Sequence, residues 1–242
     1  MISRRIFGGL MACGLLVGAL AAPVAGKGSG KQPAWGGADS PLRPGAQLGS
    51  RCTFNFVFYT PATRKAPAKG YIGTAGHCTD KLGEVVDQPD LGPIGTVVYD
   101  SDLVKSAVDF TLIELDPEIV GQTNPEVLGW GGPSRVATVE DFAVGDQVDV
   151  YGYGLLLGET EQTRPRHGVL FSWSEKEYQA DMPAVNGDSG APLIHHETGA
   201  ALGIISRYGF TVPPSTDLGP LMTWVMEELG KAGFNVQLAT VE

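Results

Sequence analysis

The sequence predicts an all-β protein of short antiparallel strands, and three observations carry that expectation. The 34 glycines and 17 prolines among 242 residues interrupt the chain too often for long helices, and favour short strands joined by turns. Apolar residues fall in alternating or continuous runs of strand length, such as Phe54, Phe56 and Phe58 interleaved with Thr53, Asn55 and Val57. No amphipathic pattern long enough for a crossover helix lies between successive runs, so neighbouring strands are antiparallel.

Taken in order, residues 1–25 read as a signal peptide: Arg4 and Arg5 precede an apolar stretch from Ile6 to Leu20, with small residues around Ala19 to Ala25 for cleavage. Two other readings compete, a retained membrane anchor and a lipid-attachment site at Cys13. The Gly and Ala content and the A-x-A pattern favour removal, and the apolar run continues well past Cys13. Residues 26–49, rich in Gly, Pro, Ser and Lys without apolar periodicity, read as a flexible leader. Residues 50–125 form a first half. In it the aromatic strand from Arg51 is followed by a proline-containing turn, Pro61 to Gly70, and a partner strand, Tyr71 to Ala75. Gly95 to Tyr99 and Val108 to Leu115 supply further strands. Pro117 to Ser134, with three prolines and several Gly and Asn, links the halves. Residues 126–242 repeat the pattern in strands at Gln147 to Tyr153, Gly168 to Trp173, Tyr178 to Met182, Pro192 to His195 and Ala200 to Ser206. Leu221, Met222, Val225, Met226 and Leu229 then fall at helical spacing, and Gly230 stops them.

The net charge of −10 argues against nucleic acid or an anionic membrane as partner, since both demand a basic surface. Losing residues 1–25 removes two arginines and no acid, which makes the mature chain more acidic still. That balance suits an exported protein outside the cell.

The chemistry-bearing stretch is Asn186-Gly187-Asp188-Ser189-Gly190-Ala191-Pro192-Leu193. A serine hydroxyl is a poor nucleophile without a neighbouring base and a site for the developing oxyanion. The flanking glycines permit a sharp turn and leave the amides of Gly187 and Ser189 free as oxyanion donors. By itself the stretch could be an ordinary turn. Upstream, however, Thr74-Ala75-Gly76-His77-Cys78 supplies a base, and Val108-Asp109-Phe110-Thr111-Leu112-Ile113-Glu114-Leu115 supplies a carboxylate.

Together, in that order, TAGHC, VDFTLIEL and GDSGAPL resemble the chymotrypsin-like serine peptidases, nearer the secreted bacterial branch such as the streptogrisins. The resemblance runs from about Ser50 to Gly230. It implies two six-stranded antiparallel β-barrels with a cleft between them and a C-terminal helix. It implies His77 as general base, Asp109 as its orienter and Ser189 as nucleophile, with Ser206 backing Asp109 and lending backbone to a substrate strand. Of the three cysteines, Cys13 leaves with the signal, and Cys52 and Cys78 are expected to form a disulfide beside His77; the alternative is two reduced thiols. The chain departs from the animal enzymes in having no Ile-Val-Gly-Gly start and no cysteines flanking Ser189. Asp188 therefore lacks a freed N-terminal amine and needs another partner, an arginine being the obvious one.

The primary specificity pocket is expected from Pro183, Ala184, Arg207 and Tyr208. The residue six before Ser189 is Pro183, and no acid stands between Met182 and Asn186, so unless Asp181 reaches in, the pocket favours small or medium apolar side chains. Arg207 turned inward would instead admit an acidic one. His167, His195 and His196 read as surface residues, because no H-E-x-x-H helix or zinc-spaced cysteine pair accompanies them. No metal and no cofactor are expected. The expected function is an exported, monomeric serine endopeptidase acting on polypeptides, the alternative being a non-catalytic peptide- or protein-binding protein of the same fold.

Overall fold

The computed structural model describes residues 31–49, 52–154, 164–209 and 216–241. The signal-peptide stretch, 1–25, lies outside them. The chain forms β1 (Gln47–Leu48), β2 (Cys52–Thr53), β3 (Val57–Thr60), β4 (Lys69–Thr74), β5 (Val85–Gln88), β6 (Gly92–Asp100) and β7 (Thr111–Leu115). A short helix α1 (Pro117–Val120) opens the link to β8 (Gln147–Tyr151), β9 (Pro165–Trp173), β10 (Glu177–Asp181), β11 (Pro192–His195) and β12 (Ala200–Ile204). β13 (Arg207–Gly209), β14 (Thr216–Pro220), α2 (Met222–Lys231) and β15 (Gln237–Leu238) complete it.

Two large antiparallel sheets result, beside a two-stranded one formed by β1 and β2. The first has six strands in the order β15-β3-β4-β7-β6-β5; the second runs β12-β11-β8-β9-β10-β14, with the three-residue β13 at its edge. The second sheet curls toward closure, since Gly203 bridges Leu221 and the Ser206 amide donates to the Leu218 carbonyl. Among the described residues no helix is long and apolar enough to cross a membrane.

Each sheet buries its own interior, and a third cluster fills the space between them. Phe54, Val57, Tyr59 and Ile72 pack inside the first sheet, while Val148, Val150, Leu170 and Leu193 pack inside the second. Phe56, Phe58 and Phe110 meet Tyr151, Ile204 and the α2 residues Met222, Val225 and Leu229 between the sheets. The aromatic strand thus has no exposed face: residues 53–58 are all fully buried, alternate side chains serving the two clusters. The strand itself is broken, with 54–56 irregular between β2 and β3.

Three sequence expectations need correction. The stretch read as a flexible leader is folded where it is described. Leu42, Ala46 and Leu48 are buried against the first sheet, and Gly36 donates its amide to the Thr123 carbonyl. The second half does not keep the whole C-terminus, because β15 pairs with β3 and supplies the sixth strand of the first sheet. The helix also runs one residue past Gly230, to Lys231. A glycine in a last turn costs only about 1 kcal/mol against alanine, which the buried apolar face of α2 outweighs.

Candidate active site

Strand register brings the candidate residues together from four separate stretches. β4 pairs β7 with Thr74 opposite Thr111. His77, three residues beyond β4, therefore meets Asp109, two residues before β7. His77 sits in a single 3-10 turn, Gly76–Cys78. Both oxygens of Asp109 lie 3.1 Å from His77 Nδ1, and the His77 amide also donates to the carboxylate at 3.1 Å. Asp109 adopts a left-handed backbone, φ 47°, which makes the strand begin later than predicted: β7 starts at Thr111 and not at Val108. Such conformations cost about 1–3 kcal/mol and collect at functional sites.

In the second sheet, β11 and β12 pair with Pro192 opposite Ile204. Ser189, before β11, and Ser206, after β12, consequently share one end of the sheet. The Ser206 hydroxyl donates to Asp109 Oδ2, so one carboxylate joins both sheets. Burial pushes the Asp109 carboxyl up, but the hydrogen bonds from His77 and Ser206 outweigh it and hold it below the usual range. The Asp109 hydrogen bond raises His77 above the ordinary imidazole value against the opposing effect of burial.

The Ser189 turn is held against the first sheet by Thr53, a residue that sequence reasoning passed over as strand interior. Its amide donates to the Ser189 carbonyl at 2.8 Å and its hydroxyl to the Gly187 carbonyl at 2.7 Å, while accepting from the Tyr153 amide at 2.9 Å. Gly187 and Gly190 both have positive φ, and a Cβ on Gly190 would lie 2.3 Å from the Thr53 carbonyl oxygen and 2.9 Å from the Ala75 nitrogen. The turn is therefore pressed against the chain two residues before His77. Cys52 and Cys78 form a disulfide that ties the Thr53 strand to the His77 turn. Closing its loop of 26 residues contributes about 3.5 kcal/mol by the chain-entropy estimate. Among the described residues the Ser189 hydroxyl makes no hydrogen bond, to His77 or to any other group, and the Gly187 and Ser189 amides donate to none.

Asp188 is fully buried and its partner is Arg166, on β9. The guanidinium reaches the carboxylate at 2.5 and 3.1 Å, and the Gly154 and Val185 amides each donate at 2.8 Å. Gly152 makes room for this pair: a Cβ there would stand 2.0 Å from Asp188 Oδ1.

Of the expected pocket residues, Pro183 is exposed, Ala184 is half-buried and Arg207 is exposed with its guanidinium on Glu177 at 2.5 Å. The Tyr208 side chain lies outside the described residues. His195 departs from its reading as a surface residue. It is buried, its ring nitrogens meeting Thr198 Oγ1 at 2.9 Å and Asp146 at 3.1 Å. His167 and His196 are half exposed and share Asp149. His77 also lies close to Cys52 and Cys78, but those sulfurs are spent in the disulfide and offer a metal nothing.

Several solved structures share this architecture. Thermobifida fusca protease A is 18% identical, with a TM-score of 0.59 over 83% of this chain and 99% of that one. Chymotrypsin from Cellulomonas bogoriensis is 17% identical, with a TM-score of 0.56 over 83% and 99%. The chain has the chymotrypsin-like fold. Nocardiopsis protease, 18% identical with a TM-score of 0.57 over 82% and 99%, has that fold as well. No protein-family model and no curated protein matches the sequence.

Proposed function

We propose that this protein is an exported serine endopeptidase, cleaving peptide bonds through an acyl-enzyme on Ser189. The observation that carries the reading is the run of contacts from Ser206 through Asp109 to His77, ending beside the turn that bears Ser189. With Nδ1 committed to Asp109, Nε2 is the nitrogen left to take the Ser189 proton and return it to the leaving amine. Asp109 fixes that tautomer and stabilises the imidazolium as it forms. The free amides of Gly187 and Ser189 would receive the oxyanion. A hydroxyl that does not yet touch the base is common before substrate arrives.

The test is covalent labelling of the mature protein by a fluorophosphonate, followed against pH. One label per chain is expected, on Ser189. The base works only when neutral, so labelling falls as pH drops through the pKa of His77. Because Asp109 raises that pKa, the midpoint lies above the ordinary 6.5; Asp109→Asn should move it down and slow labelling. A pH-independent rate, or a label elsewhere, would remove His77 and Ser189 from these roles.

For specificity, the Arg207–Glu177 pair favours a shallow pocket for small or medium apolar residues, since an arginine engaged on β10, across β14, is withdrawn from an acidic side chain. Cleavage-site mapping on a mixed peptide library should show that preference. Dominant cleavage after Lys or Arg would point to Asp181 instead, and dominant cleavage after Glu or Asp to Arg207.

A further inference from the structure

We propose that Asp149, His167 and His196 bind a divalent transition-metal ion of the zinc type on the outer face of the second sheet. The three residues come from adjoining strands. Asp149 on β8 lies opposite His167 on β9 and opposite Ile194 on β11, and His196 follows β11 with its amide on the Gln147 carbonyl at 3.0 Å. Val148 and Val150 turn into the core, so Asp149 points to the other side with both rings. His167 Nδ1 stands 2.8 Å from one carboxylate oxygen and His196 Nδ1 2.8 Å from the other. One ligand atom from each residue lies within 4.8 Å of the others.

As a plain hydrogen-bond cluster this arrangement is at odds with itself. The carboxylate only accepts, so it requires a proton on both Nδ1 atoms. The side-chain amide nitrogen of Gln147, which only donates, rests against His167 Nδ1 and lies 3.4 Å from His196 Nδ1 and from Asp149 Oδ1. It then faces two nitrogens whose protons are already directed at Asp149. Turning the amide over would aim a third oxygen at the same two protons. Asp149 is also only 4% exposed. A buried carboxylate without a compensating charge is costly. A cation at the point where the four side chains converge resolves each conflict. Both nitrogens present lone pairs to it, the carboxylate gains its counter-charge, and the Gln147 oxygen or a water takes the fourth position.

The donor set selects the ion. Imidazole and carboxylate without sulfur suit zinc, copper(II) or nickel(II), whereas calcium takes six to eight oxygens. Tetrahedral zinc with bonds of about 2.1 Å needs ligand atoms about 3.4 Å apart, which small side-chain rotations reach from the present spacings. The His167 ring is braced by Trp130, 4.7 Å away between centroids, whose own Nε1 donates to the Val150 carbonyl. An ion here would clip β9, β8 and β11 together. β9 carries Arg166 one residue from His167, and β11 follows the Ser189 turn, so its effect is on rigidity and not on the chemical step.

The experiment is a zinc titration of chelator-treated mature protein by calorimetry, with thermal unfolding measured alongside. One zinc per chain is expected, with Tm rising by about 5 °C or more at a hundredfold excess over Kd, and no shift with calcium. His167→Ala and His196→Ala remove half-exposed rings and should fold as the parent does. Each should weaken zinc binding about a hundredfold or more, since even partners outside the ligand set are worth about 10–100-fold. Failure of the parent to bind zinc would overturn the proposal. So would binding that survives the double variant, or that is lost in His77→Ala instead.

Discussion

Replacing Ser189 by alanine should lower kcat by roughly a millionfold, the scale seen when the nucleophile of a serine peptidase is removed, and leave Tm unchanged. The two halves of that expectation have separate causes. On the proposed mechanism the loss follows because Ser189 is the group that forms the acyl-enzyme, and the oxyanion amides alone would leave only a small residual rate. The unchanged stability follows because the Ser189 hydroxyl makes no hydrogen bond among the described residues and the side chain is half-buried. The backbone contacts that fix the turn, from Thr53 to the Ser189 and Gly187 carbonyls, survive the substitution. Peptide turnover and thermal unfolding of purified variant and parent measure both. Turnover close to the parent's would show that some other residue attacks the substrate.

Much of the candidate site was legible because its parts carry local signatures. His77 sits in TAGHC, Asp109 opens an apolar strand and Ser189 lies between glycines, each recognisable within a few residues. What escaped the sequence depends on pairing across strands. Asp188 visibly needed a cation, but Arg166 is one of several arginines, and only the lateral order of β8, β9 and β11 brings it to the turn. Thr53 had no mark at all, since its role rests on amide and hydroxyl directions that only tertiary contact fixes. His195 ends a hairpin strand, a position that reads as exposed, yet all four residues of β11 are buried. The Asp149 cluster assembles from residues 18 and 47 positions apart, so no zinc spacing could announce it. Composition misled in residues 31–49, where a low density of apolar residues hides three that reach the core.

Replacing Arg166 by methionine should destabilise the fold and disable the site together. The guanidinium is 4% exposed and Asp188 is fully buried, so the substitution leaves a carboxylate enclosed without its cation. Breaking a buried pair from one side costs about 3–5 kcal/mol, which for a domain of this size lowers Tm by about 10 °C or more. Catalysis should fall further than stability alone explains. Asp188 separates the two amides assigned to the oxyanion, and losing one such donor costs about 100–1,000-fold in kcat. Adding Asp188→Asn to Arg166→Met separates the effects. With both charges gone, the desolvation penalty falls and Tm should recover most of its loss. Activity should not recover, because an asparagine has one side-chain oxygen and the Gly154 and Val185 amides bind different oxygens of Asp188. Thermal unfolding and kcat of the single and double variants decide the matter. If Arg166→Met keeps the parent's Tm and turnover, Asp188 is held by something else, and the account of how this turn is kept open is wrong.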